Sequence, residues 1–209
     1  MGVIKRGILG GFSNKVGNIV GSTWKGIAVI KSLPLSVANP RTAGQILQRG
    51  KFSQLTILGS LLLSSIIKPL WDRFATNMSG YNAFISANRN AFMSNGEMDI
   101  SKLVLSRGRM LAPQALLPSA NGNAVTVQVT NPVNDRFALP TDRLYIAVID
   151  TGSRDVGLAS ITATQRGTGS TVTVTGTLKA NFDNKSDMGF FVGYMRADGS
   201  EVSESKVSI

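Results

Sequence analysis

Cysteine and histidine are both absent from the 209 residues. Without cysteine there is no disulfide, no thiolate metal site and no thiol nucleophile. Without histidine the chain lacks the commonest general base at neutral pH, the usual partner of a serine nucleophile and the commonest zinc ligand. Most hydrolase mechanisms need one of these groups, so the composition points to a protein that is not an enzyme and carries no cofactor or metal. Long apolar runs are missing too. Residues 52–67 form the most apolar stretch, but Ser53, Gln54, Ser60, Ser64 and Ser65 interrupt it, and a membrane span needs about 20 apolar residues. Gly7, Gly10, Gly11, Asn14 and Lys15 break up what an export signal would keep continuous. A soluble chain with no membrane span is expected.

Acidic residues are scarce and unevenly placed. There are 12 against 22 Lys and Arg, a formal charge of +10. Residues 1–71 carry Lys5, Arg6, Lys15, Lys25, Lys31, Arg41, Arg49, Lys51 and Lys68, and the first acid is Asp72. From residue 99 onward eleven basic residues face ten acidic ones. The excess therefore belongs to the N-terminal part, and two regions with different partners are implied.

With 43% hydrophobic residues the chain can build real cores. Seven glycines punctuate residues 1–32, with short β-branched pieces between them, which reads as one or two hairpins. Residues 23–31 are expected as a strand, with Gly21 and Ser22 in its turn. Prolines and the Asn39-Pro40 step mark residues 33–41 as an extended connector. Thr42 offers a helix cap. Ile46, Leu47, Phe52, Leu55, Leu58, Leu62 and Ile66 recur at helical spacing, and Pro69 should end or kink that helix near Lys68. Further helical pieces are expected over 70–78 and 81–93, with Tyr81, Phe84, Ile85 and Phe92 on one side. Beyond Gly96 the pattern turns to strands, expected over 102–106, 124–130, 143–150, 157–164, 171–178, 189–196 and 201–208. Seven short strands at this spacing suggest an immunoglobulin-like or fibronectin-like sandwich, the latter being nearer because no cysteine pair staples it. The expected fold class is thus α+β: a basic glycine-rich hairpin arm and short helices over 1–98, then a β-sandwich domain over 99–209.

Motifs of chemistry are incomplete. A phosphate loop needs Gly-Lys-Ser/Thr after its first glycine and four residues, but the frame from Gly21 to Gly26 continues with Ile27 and Ala28. Asp142, Asp150, Asp155, Asp183 and Asp187 are candidates for paired carboxylates. All except Asp150 fall in or beside expected turns, where Asp caps local backbone groups. The acids around Asp150 and from Asp183 to Asp187 do not complete a calcium loop. What is left is contact chemistry. Lys5, Arg6, Lys15, Lys25, Lys31, Arg41, Arg49 and Lys51 suit an acidic protein surface or a polyanion, and Trp24 suits either a hairpin core or an interface anchor. Aromatic interleaving is thin and no nucleic-acid-binding pattern accompanies the cations, so nucleic acid ranks second as a partner.

The blocks running from Met1 to Gly17, from Gly21 to Gly26 and from Asn39 to Thr42, continued by Tyr81-Asn82-Ala83-Phe84 and Ser106-Arg107-Gly108, resemble a family of Bacteroidota and their phages known only as a domain of unknown function. The resemblance is specific over residues 1 to about 52 and weaker in the sandwich. It implies a structural component of a phage particle, a ring, tail or neck protein of the crAss-like kind, located in the virion and assembling as a homo-oligomeric ring with other virion proteins. It carries over no catalytic residue. Two other readings stay open: a nucleic-acid-binding accessory protein, and a bacterial surface or adhesion module.

Overall fold

The computed structural model describes residues 3–4, 12–33, 36, 39–131, 138–179, 182 and 188–209. The chain is α+β, with three antiparallel sheets and few helices. It divides into two compact units, Met1–Gln45 and Ile46–Ile209.

The first unit is a four-stranded meander, β1 (Val3–Ile4), β2 (Phe12–Val16), β3 (Ile19–Trp24) and β4 (Ile27–Ser32), in the order β1-β2-β3-β4. The expected turn at Gly21 and Ser22 is corrected: both lie inside β3. The chain reverses instead at Gly17-Asn18 and at Lys25-Gly26, where Lys25 and Gly26 have φ of 46° and 83°. Gly21 is a glycine for another reason. A side chain there would strike the backbone carbonyl and ring of Phe12, so the position serves close packing rather than reversal.

In the second unit, α1 (Ala43–Leu61) begins in the first and runs on into a wide turn over Leu63–Ile67, then α2 (Lys68–Trp71). Ser79 caps α3 (Gly80–Asn88) by accepting from Asn82 N–H at 3.2 Å. Pro69 does not end the helical run, and the kink falls earlier, at Leu62. The proline occupies the first turn of α2, where its missing N–H costs nothing, and the chain bends 68° between α1 and the segment that follows. The expected helix over 70–78 shrinks to the end of α2, and that over 81–93 stops at Asn88. Phe92 lies in a bridge to Met98 instead. Among the described residues no single helix is long and apolar enough to cross a membrane.

Seven strands follow: β5 (Ala115–Asn121), β6 (Ala124–Thr130), β7 (Arg143–Asp150), β8 (Val156–Gln165), β9 (Thr171–Thr177), β10 (Met188–Met195) and β11 (Lys206–Ser208). They form one sheet ordered β11-β10-β7-β8 and another ordered β5-β6-β9. Leu144, Ile146 and Val148 of β7 and Phe190, Val192 and Tyr194 of β10 share a core with Leu116, Val125, Val127, Val129 and Val174 of the three-stranded sheet. The alternate residues Tyr145, Ala147, Ile149 and Phe191 pack with Leu55, Leu58, Leu62, Ile66, Leu70, Trp71 and Phe84 of the helices. The central strands are therefore buried on both faces, and the helices belong to the same unit as the strands. That shared core is why the compact units divide after Gln45 and not at residues 98 and 99.

Two strand expectations are corrected. Residues 102–106 do not pair as a strand, although Leu103 and Leu105 are buried. Side chains take the place of a ladder: the Asn88 amide accepts from Val104 N–H at 2.7 Å and donates to Val104 O at 2.9 Å, Trp71 Nε1 donates to Leu105 O at 2.7 Å, and Leu105 N–H donates to Ser205 Oγ. The unexpected strand is β5, hidden by Pro118, which an edge strand accommodates. Of the expected strand over 201–208, only Lys206–Ser208 pairs continuously with β10.

Gly108, quoted above for the family resemblance, lies against the Val202 backbone, and an added Cβ would overlap the Val202 carbonyl, which also accepts from Met110 N–H at 3.1 Å. Gly108→Ala should cost about 1–3 kcal/mol by forcing two backbone segments apart. A urea midpoint equal to that of the unmodified chain would refute this.

Candidate functional site

Strand register decides which side chains of the first unit share a face, because residues directly opposite each other in an antiparallel pair point the same way. Lys15 pairs with Val20, and Val20 with Lys31. Ser22 pairs with Val29, and Trp24 with Ile27. One face thus carries Lys15, Val20, Ser22, Trp24, Ile27, Val29 and Lys31. The two lysines flank Val20 in one row, with backbones about 10 Å apart at ordinary strand spacing. At the turn end, Lys25 Nζ stands 5.6 Å from the centre of the Trp24 ring. The opposite face carries Val16, Ile19, Ala28 and Ile30, with Phe12 over Gly21.

This sheet hides little of its apolar surface. Val16, Ile19, Trp24, Ile27, Val29 and Ile30 are all exposed, Ile30 to 63%. Four short strands with a half-exposed core are marginal at best without further covering.

Of the other sequence candidates, Arg41 is exposed in the segment before α1, where Thr42 Oγ accepts from Gln45 N–H at 3.4 Å. Arg49 and Lys51 lie on α1 in the second unit. Lys51 Nζ stands 5.7 Å from the centre of the Phe92 ring, and Arg49 lines a shallow groove of about 590 Å³ with Gln48, Phe52, Ser53 and Thr56. Lys5 and Arg6 lie outside the described residues. Lys15, Trp24 and Lys31 are brought to one face by the register of three strands, with Lys25 in the turn beside Trp24.

Asp150 and Asp142 take structural roles. Asp150 Oδ2 accepts from Ser153 N–H at 2.8 Å and Asp142 Oδ2 from Leu139 N–H at 2.8 Å, both within turns. Asp155 is exposed beside the first of these turns, and Asp183 and Asp187 lie outside the described residues. One polar cluster escaped the sequence reading. Asp142 is wholly buried, 3.3 Å from Arg196 Nε, and Arg196 also reaches Glu201 at 2.8 Å. Arg166 stacks on the Tyr194 ring at 3.6 Å and donates to Leu111 O at 3.2 Å, while the Tyr194 hydroxyl bonds Asn131. Burial pushes the Tyr194 hydroxyl up to about 12 and raises Asp142 above the ordinary carboxylate range against the pull of Leu139 N–H, Arg166 and Arg196. The cluster ties together β10, the turn entering β7 and the segments after β6 and β8.

Residues 11–208 match the model of a family described as a family of unknown function (DUF6266). No curated protein matches the chain.

Proposed function

The chain belongs to the DUF6266 family, and for it we propose a non-enzymatic assembly role, as a structural subunit whose N-terminal sheet engages neighbouring proteins while the strand-rich second unit forms the body. The observation that carries this reading is the exposed sheet, which combines six uncovered large apolar residues with lysines and no acid. Contiguous exposed apolar surface beside charge is characteristic of interaction sites. The strand order favours a fibronectin-like body: with β5, β6, β7, β8, β9, β10 and β11 written A, B, C, C′, E, F and G, the sheets read A-B-E and C′-C-F-G. The setting, a ring, tail or neck of a phage particle in which copies close around an axis, follows from the resemblance of the N-terminal blocks and from the economy of repeated interfaces. Nucleic acid is the competing partner, because the same lysines would neutralise phosphates.

The full chain carrying Lys15→Glu and Trp24→Ala should associate at least about tenfold more weakly with the proteins it assembles with, while its urea midpoint changes little, since exposed positions usually affect stability by within about 0.5 kcal/mol. Sedimentation of mixtures with the products of neighbouring genes reads the first quantity. Unchanged association, or loss instead of a tight DNA complex with a steep salt dependence, would overturn the proposal.

A further inference from the structure

We infer that the outer edge of β4, the last strand of the N-terminal sheet among the described residues, takes up an extended acidic segment of another protein as an added strand. The inference rests on the assembly reading above and specifies what the sheet receives.

The hydrogen-bonding pattern of β4 follows from its turn. Lys25 and Gly26, both at positive φ, form a two-residue hairpin connection of the primed type, so the closing pair Trp24 and Ile27 exchanges ladder hydrogen bonds. Pairs alternate from there. Ser22–Val29 and Val20–Lys31 are bonded pairs, and the bond from Leu33 N–H to Asn18 O at 2.7 Å continues the alternation one step further. Ala28, Ile30 and Ser32 therefore turn their N–H and C=O groups away from β3. Among the described residues β4 ends the sheet, and all six of its residues are exposed. From Ile27 to Ile30 the edge has no charge, no proline and no bulge, and the one charge on the strand is Lys31.

Charge selects the occupant. Of the 22 basic residues six lie in the first unit and 16 in the second, whereas all 12 acidic residues lie in the second, so the units carry +6 and +4. Both units of a second copy carry net positive charge, which makes it the poorer match for this edge. A strand of another protein with an acid opposite Lys31 and apolar residues opposite Val29 and Ile27 would match the face that also holds Lys15 and Trp24. A polynucleotide satisfies the lysines but not the edge, since phosphates only accept and the outward carbonyls of Ala28, Ile30 and Ser32 would go without donors.

Amide exchange on the full chain tests this, with a short synthetic peptide of glutamates alternating with valine and threonine as the probe. Its addition should slow exchange at Ala28, Ile30 and Ser32, while Ile27, Val29 and Lys31 are already held by β3. A peptide with lysine in place of glutamate should bind at least about tenfold more weakly, and Lys31→Glu should reverse the preference. Ile30→Pro removes an outward N–H without taking a ladder bond, so it should abolish the slowing and leave the Ser22–Val29 pair intact. Peptide-induced shifts at Lys15 and Lys31 with no slowing at the three amides would overturn the inference, as would concentration-dependent slowing without peptide, which would indicate a second copy. If Ile30→Pro assembles normally while Lys15→Glu with Trp24→Ala does not, the edge inference falls and the assembly reading stands. If neither variant affects assembly, both fall.

Discussion

Asp142→Ala is expected to destabilise the second unit by about 3–5 kcal/mol, the usual cost of removing one partner from a buried ion pair. The side chain is wholly buried, and its loss leaves Arg196 without the carboxylate at 3.3 Å and Leu139 N–H without its acceptor. Asp142→Asn keeps an acceptor for Leu139 and should cost clearly less. Urea unfolding followed by circular dichroism measures both, and equal costs would show that charge alone matters. The pH dependence has a definite sign. Burial raises Asp142 above its ordinary value of 3.8 in the folded state, so between 3.8 and the raised value the native state binds more protons than the unfolded one. Its contribution to stability therefore grows as pH falls through that window and shrinks as pH rises. The native chain should gain on Asp142→Asn as pH is lowered towards about 4. A loss over the same range would mean that the neighbouring cations outweigh burial.

Phe84→Ala should cost about 3–5 kcal/mol, as expected for emptying a large buried aromatic site. Phe84 is 0% exposed, meets Trp71 edge-on at 6.0 Å between ring centres, and lies in the core that also contains Tyr145, Ala147 and Phe191 of the central sheet. Because that core joins helices to strands, the helical signal and a near-ultraviolet signal from the sheet tyrosines should move to lower urea together. Two separated transitions, with only the helical one displaced, would show that the helices fold independently of the strands.

These two residues mark what is visible in a sequence and what is not. Phe84 was legible: an apolar residue at helical spacing with Tyr81 and Ile85, in a segment that does fold as α3. The role of Asp142 was half legible. Its place in a turn follows from local backbone chemistry, but its partners Arg166 and Arg196 are 24 and 54 residues away, and no local pattern announces a meeting at that distance. In the hairpin, residue type marks the lysines and Trp24 as candidates for contact, but Gly21 and Lys25-Gly26 exchange the roles that the sequence suggests. Glycine permits both reversal and close approach, and only the presence of Phe12 over Gly21 distinguishes them.

The sequence by itself determined the absence of cysteine and histidine chemistry, the one-sided charge, the α+β succession and most strands of the second unit, including β6 and β7 to the residue. These depend on residue type and on periodicities of two and 3.6, which are local. Tertiary structure alone decided that the helices share a core with the central sheet, that Leu103 and Leu105 are buried without belonging to a strand, that Pro118 sits in one, and that Lys15 and Lys31 stand in one row. In each case the deciding partner is remote in sequence: Asn88 and Trp71 for the linker, the unpaired side of β5 for its proline, and the register of three strands for the lysines.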